Sequence, residues 1–451
     1  MENQRIQKSQ TKIWLLMLSL FTLLTFRTLP LLYGTFANYG YDYGFYLFAI
    51  KHTQNLTLSS FFTALWGGYN NPLFYIGNLL HIPASITLNE LYFFASLFTG
   101  LCFYFVFAKK NWQAGIFACL LFATSKIQAE MYNIFLWKNV LALSFLLLSF
   151  KFLEERRWKL FIFSSLMILL THRTTAIIYI LTLLIYFTHQ FIKQKKYKLL
   201  VFGSSLITIC LATSYTLLPI KSIISNLINN NNSYVRTGLF LENQNLFAIW
   251  WPFLALALPG IFLYLKNRRG ILWPIFTTVC LLWVFFHLPF YRRIIIYLDI
   301  AVIYFSAHFL NQLNFRAWQV KTSIGLIFIF LLFSAQNFIR SRPVWISSPE
   351  IEEIKKFKTK TPGNFVLAVS ANDAPWLLGF GNEIRLTAPG LFEDRNTYEQ
   401  WQTFWAGQNQ KEFLWKYPRP LYFYQRSYKL SGEINNCLSQ VSKNFFEYNC
   451  K

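Results

Sequence analysis

The sequence predicts a mainly α-helical, polytopic membrane protein of about 11 transmembrane helices, followed by a small extracytoplasmic α/β domain. Three observations carry this. Apolar runs long enough to cross a bilayer recur through the first three quarters of the chain. Charge is scarce, at 14% of residues against 55% hydrophobic and 20% aromatic, where soluble domains average about 25% charged. The composition then changes: residues 1–339 carry 27 Lys/Arg and 8 Asp/Glu, residues 340–451 carry 15 and 11. The chain therefore divides into a transmembrane part, 1–339, and a nearly charge-balanced tail, 340–451. The formal charge of +23 does not imply nucleic acid, because the excess sits in short clusters between apolar runs, as in cytoplasmic loops.

A hydrocarbon core about 30 Å thick requires about 20 helical residues. Candidate spans fall at 13–34, 90–108, 112–126, 138–153, 160–172, 175–192, 199–219, 246–265, 271–289, 294–310 and 322–339. Arg5, Lys8 and Lys12 precede a first run too long for a signal-peptide core and lacking a following cleavage pattern, so it reads as an anchor. With the N-terminus inside, cytoplasmic connections hold 18 of the 27 basic residues before position 340. Arg27, Lys51, Lys126, Lys138, Arg173, Lys221, Arg236, Arg292 and Arg293 fall outside. This bias predicts a multi-pass protein of the plasma (inner) membrane with a cytoplasmic N-terminus and an exported tail. Cys102, Cys119, Cys210 and Cys280 lie in apolar spans and are expected to pack there. Cys437 and Cys450 lie in the tail, where an oxidising compartment permits a disulfide.

The first outer connection, 35–89, contains DYGFYLFAIKH (Asp42 to His52), which alternates like an amphipathic helix. The stretch 220–245 is polar and low in complexity, with no helical or strand period, and reads as an outer loop. In the tail, Ser347-Ser348-Pro349-Glu350 is a helix start, with a serine N-cap, proline at N1 and glutamate three residues on. The runs FVLAVS, EIRLTA, PLYFYQ and FFEYN read as strands, with a helix over EDRNTYEQWQTFWA. The sequence has no Walker A motif, no G-x-G-x-x-G opening a helix, no H-x-x-x-H and no C-x-x-C.

Ionisable residues near membrane depth are the candidates for chemistry. Asp42, among tyrosines just after the first helix, has two readings: a carboxylate that orients or deprotonates an acceptor or helps hold a divalent cation, and a helix N-cap. Glu130, in the second outer loop, is either a second catalytic or metal-binding carboxylate or a solvated acid paired with Lys126 or Lys138. His172 and Arg173, with Thr174 and Thr175, suit a phosphate, because arginine offers a planar fork and histidine a further donor; capping and headgroup contact are the plainer reading. Arg292 and Arg293 stand at the outer mouth of a span with Asp299 two turns inside. Arg27, near the outer end of the first helix, calls for a carboxylate or phosphate partner.

These features together resemble the GT-C superfamily of membrane glycosyltransferases, which use polyprenyl-phosphate-linked sugars. The likeness rests on D-x-G-F-Y at Asp42, an acid in the next outer loop, R-R-x-x-x-Y-L from Arg292, and a tail opening S-P-E-I-E-E-I-K-K-F followed by W-L-L-G-F-G. It implies Asp42 as the acid that activates the acceptor or binds metal, Glu130 as a second acid, and Arg292 or Arg293 as the contact to the donor phosphate. The chain departs from the pattern in lacking an adjacent acidic pair and a W-W-D-Y-G signature, which argues against asparagine glycosylation. Implied partners are a polyprenyl-phosphate sugar, a glycan, lipid or protein acceptor, and membrane lipids. A polysaccharide polymerase or ligase using lipid-linked glycans is the rival reading, in which His172-Arg173 counts for more. A transporter or flippase is a third, against which stand the absence of internal repeats and the exported tail.

Overall fold

The computed structural model describes residues 2–33, 40, 42–52, 80–108, 111–194, 243–267, 270–288, 290–313, 318–342, 345–357, 365–381, 385–389, 391–392, 394 and 396–450. The candidate span 199–219, with Cys210, and almost all of the 220–245 stretch lie outside them. By contacts the chain forms two compact units. The first comprises Met1–Tyr33, Thr57–Asn71 and Asn89–Arg342; the second comprises Gly34–Leu56, Pro72–Leu88 and Pro343–Lys451.

The helices in chain order are α1 (Glu2–Tyr33), α2 (Tyr43–His52), α3 (Ala84–Ala108), α4 (Trp112–Thr124), α5 (Lys126–Asn133), α6 (Trp137–Glu154), α7 (Trp158–Thr171), α8 (Arg173–Gln194), α9 (Asn243–Lys266), α10 (Leu272–Phe285), α11 (Tyr291–Gln312) and α12 (Trp318–Arg340). Among the described residues, six are long and apolar enough to cross a membrane: α1, α3, α8, α9, α11 and α12. Apolar helices of fewer than 18 residues, α4, α7 and α10, occupy three further candidate spans. At 1.5 Å per residue, α12 with 23 residues reaches roughly 35 Å, enough for a bilayer core.

Within the first unit, α11 is buried almost throughout, whereas α1 and α12 expose much of their apolar surface, including Trp14, Phe21, Leu326 and Phe333. Apolar side chains all round a helix suit one face to protein and one to lipid. Helix α9 carries Pro252 and Pro259 in its interior and runs closely along α11. At Gly260 a Cβ would lie 2.1 Å from the carbonyl oxygen of Phe305, so no larger residue fits that crossing.

The second unit contains α2, α13 (Ser348–Lys356), β1 (Phe365–Ala368), α14 (Ala374–Phe380), β2 (Arg385–Ala388), β3 (Leu391–Phe392), α15 (Tyr398–Trp405), α16 (Gln410–Leu414), β4 (Leu421–Tyr424), β5 (Leu438–Gln440) and β6 (Phe445–Tyr448). All four expected strands form, and the short β3 and β5 extend the sheet to the order β3-β2-β1-β4-β6-β5. Strand β1 pairs in parallel with β2 and β4; the other pairings are antiparallel. On one face Phe365, Leu367, Leu421 and Phe423 pack with Trp401 and Phe404 of α15 and Phe413 and Leu414 of α16. At the other, Phe357, just after α13, stacks on Phe445 at 3.7 Å. Ser347 caps α13, its amide and hydroxyl donating to Glu350 at 2.7 and 2.8 Å, so Pro349 falls at the second helical position, one later than expected. Cys437 and Cys450 form a disulfide across the start of β5 and the end of β6, with Cα atoms 5.0 Å apart.

Candidate functional site

The first unit brings two of the sequence candidates together at the head of α11. Phe290, in the left-handed region, turns the chain into this helix, and Arg292 and Arg293 occupy its first turn. The Nε atoms of both arginines are buried and have no hydrogen-bond partner among the described residues. The first amides of a helix also lack intrahelical acceptors, so this end favours an anion. One turn beyond Arg293 stands Tyr297, whose ring is fully buried.

The Tyr297 hydroxyl lies 2.7 Å from the Thr175 hydroxyl and 3.3 Å from His172 Nδ1. His172 separates α7 from α8 in an extended conformation. Its Nδ1 accepts the Thr175 amide at 3.3 Å and lies 2.9 Å from the Thr175 hydroxyl. A backbone amide can only donate, so Nδ1 is the acceptor and a neutral ring carries its hydrogen on Nε2. Asn139 of α6 donates to Tyr297 at 3.5 Å. Tyr297 thus ties His172 to the helix that carries the arginines, and its place i+4 from Arg293 was the available sequence signal. Arg173 opens α8, but its side chain lies outside the described part.

Glu130 is not on a loop. It lies on α5, which Ser125 caps by accepting the Gln128 amide at 3.2 Å. Its Oε2 lies 2.9 Å from Nε of Arg342, just past α12, a partner that the sequence did not point to. Arg342 also stacks over Phe338, 4.1 Å from the ring centroid. Burial pushes the Glu130 carboxyl up, against the pull of Arg342 and Asn133. The pair lines a cavity of about 10 Å³, room for one water, with Phe26, Ala129, Tyr132, Asn133, Phe338 and Ile339.

Arg27 is fully buried and has no carboxylate in contact among the described residues. It lies over Phe122 at 5.4 Å and Tyr132 at 5.7 Å, with one nitrogen donating to the Phe122 carbonyl at 3.4 Å and Nη1 unpaired. Aromatic faces supply the negative potential that the sequence reading sought from an acid or phosphate. Asp299 is fully buried on α11 and accepts Ser125 Oγ at 2.7 Å, Gln128 Nε2 at 2.9 Å and Trp250 Nε1 at 2.7 Å.

Asp42 belongs to the second unit. It is the residue before α2, it is buried, and its carbonyl accepts the Tyr46 amide at 3.2 Å, the first bond of the helix. Its backbone therefore holds the N-cap position expected of it. Among the described residues no three His, Cys, Asp or Glu side chains gather as a metal site.

Among the described residues six helices are long and apolar enough to cross a membrane, one of them, α11, almost wholly buried; they define a multi-pass membrane protein, and its architecture is that of the GT-C membrane glycosyltransferases. A structure of the Archaeoglobus fulgidus oligosaccharyltransferase in complex with zinc and sulfate has the same fold, with a TM-score of 0.60 at 14% identity, covering 91% of this chain and 68% of that one. The chain belongs to the EpsG family, whose model matches residues 15–348. No curated protein sequence matches it.

Proposed function

We propose that this protein transfers a glycosyl unit from a polyprenyl-phosphate-linked donor to an acceptor hydroxyl on the outer side of the plasma (inner) membrane. The observation that carries the reading is the head of α11, where two arginines with unpartnered buried Nε atoms precede the Tyr297–Thr175–His172 network. Such a group of donors suits a lipid-borne phosphate entering from the bilayer. Arg292, Arg293 and His172 hold the donor phosphate in this reading. The acceptor oxygen attacks the anomeric carbon and gives its proton to the Asp42 carboxylate. The bond from that carbon to the phosphate oxygen breaks, and its electron pair leaves on the phosphate, where the arginines stabilise the charge. Residues 340–451 form the extracytoplasmic domain and 1–339 the transmembrane glycosyltransferase part.

A second reading is chain extension by a polymerase or ligase, in which the donor carries a growing glycan on a polyprenyl diphosphate. Membership of the EpsG family and the seating of His172 against Tyr297 favour it. One experiment tests both: purified protein in nanodiscs with a panel of radiolabelled polyprenyl-phosphate and polyprenyl-diphosphate sugars and glycans. Arg292→Ala and Arg293→Ala are expected to weaken donor binding by roughly 1.5–3 kcal/mol, about ten- to hundredfold. Asp42→Asn is expected to keep donor binding and lose turnover by about 10²–10⁴-fold. Donor affinity unchanged in both arginine variants would overturn the phosphate assignment. Near wild-type transfer by Asp42→Asn would return Asp42 to capping alone, since Asn caps as well as Asp.

A further inference from the structure

The family match ends at residue 348, so nearly all of the α/β tail lies beyond it. Yet the second unit also takes in 34–56, part of the matched region, and with it Asp42 and α2. What holds α2 there is α14, a helix of the tail. The two backbones meet without side chains between them. A Cβ on Gly44 would fall 1.9 Å from the carbonyl oxygen of Pro375, and a Cβ on Gly379 would fall 2.7 Å from the Gly44 Cα. Glycine is therefore required on both sides of the contact. Flanking this contact, the Tyr43 and Phe380 rings stack at 6.3 Å. From the last turn of α2, Lys51 reaches back and donates to the Gly379 carbonyl at 2.6 Å, capping an oxygen that α14 cannot bond itself.

From this contact we infer that α14 of the tail is the seat on which α2 is positioned, and that Gly44, Gly379 and Lys51 are positioning residues for the Asp42 carboxylate. The inference rests on the acceptor-activating role proposed for Asp42. Asp42 is tied to α2 through the Tyr46 amide, so any displacement of the helix moves the carboxylate with it. A carboxylate that takes a proton during attack must be held to a fraction of an ångström, and a 1 Å misplacement costs about 10²-fold in rate. The tail is then a working part of the enzyme, through a helix that belongs to the family's own region.

The test uses the full chain in nanodiscs, comparing Gly379→Ala, Gly44→Ala, Lys51→Met, Lys51→Arg and Asp42→Asn with Gly325→Ala, where a Cβ meets nothing within 4 Å. Gly379→Ala and Gly44→Ala are expected to lower kcat about tenfold to 10²-fold, with donor affinity within about twofold of wild type and the Cys437–Cys450 bridge intact. Lys51→Met is expected to lower kcat in the same way and Lys51→Arg to restore it, while Gly325→Ala behaves as wild type. Wild-type kcat in Gly379→Ala beside an inactive Asp42→Asn would overturn this inference and leave the catalytic reading standing. Transfer by Asp42→Asn would sink both. Should the glycine variants fail to form the disulfide, the lysine pair decides, and wild-type kcat in Lys51→Met overturns the proposal.

Discussion

Glu350 shows how one carboxylate joins the chain leaving the helices to the sheet. Its oxygens accept the amide and hydroxyl of Ser347 and the Nε of Arg426 at 3.1 Å, while the rest of the Arg426 guanidinium reaches Asp373 and the Trp345 carbonyl. Burial pushes the Glu350 carboxyl up, but the Ser347 bonds and Arg426 outweigh it and hold the group below its ordinary value of 4.5. The stabilisation it gives is complete above about pH 4.5 and is lost as pH falls through the lower folded value. Asp373, raised by burial and in smaller part by Glu350 itself, works in the opposite sense. Glu350→Gln is expected to flatten that part of the acid dependence, read from thermal melting of the full-length protein between roughly pH 3 and 6. Parallel curves for wild type and variant would refute the assignment. None of this was readable beyond the capping box itself, because Arg426 lies 76 residues away in sequence.

At the scale of elements, α5 depends on a residue far from it in the chain. Eight residues make a helix of marginal intrinsic stability. Its first turn is fastened to α11, where Asp299 accepts bonds from Ser125 and Gln128 and a third from Trp250 of α9. The sequence placed Asp299 two turns inside a span and left it without a partner. The partners come from two other helices, and no local pattern links them. Asp299→Ala removes the acceptor of three bonds, and although Gln128 Nε2 keeps the Ile296 carbonyl at 3.2 Å, each buried donor left unpaired costs about 1–3 kcal/mol before relaxation. The expected result is a clear fall in melting temperature of the detergent-solubilised protein, together with faster proteolysis at Lys126 as α5 loosens. An unchanged melting temperature would show that Asp299 does not fasten α5. The same anchoring explains why Glu130 read as a loop acid: α5 is held by tertiary bonds rather than by helix propensity or periodicity.

For the whole molecule, the charge bias predicts a cytoplasmic N-terminus and an exported tail. Fusion of alkaline phosphatase or a fluorescent protein after residue 345 checks it, with phosphatase activity and no fluorescence expected. A fluorescent, phosphatase-negative fusion would reverse the orientation and remove Asp42 from the outer side. The sequence by itself determined the apolar helices, the α/β character of the tail, the four principal strands and the cysteine pair. Each follows from a short-range signal: hydropathy over about 20 residues, alternation over a strand, or two cysteines in one domain. It also named His172, Arg292 and Arg293 from their cost at membrane depth. Only the tertiary structure decided which charges meet. Glu130 takes Arg342, Arg27 takes two aromatic rings, His172 meets Arg293's helix through Tyr297, and α2 is seated on the tail by a glycine contact. The physical reason is that a buried polar group must be satisfied by whatever the packing brings to it, and packing joins residues that sequence separates by up to hundreds of positions.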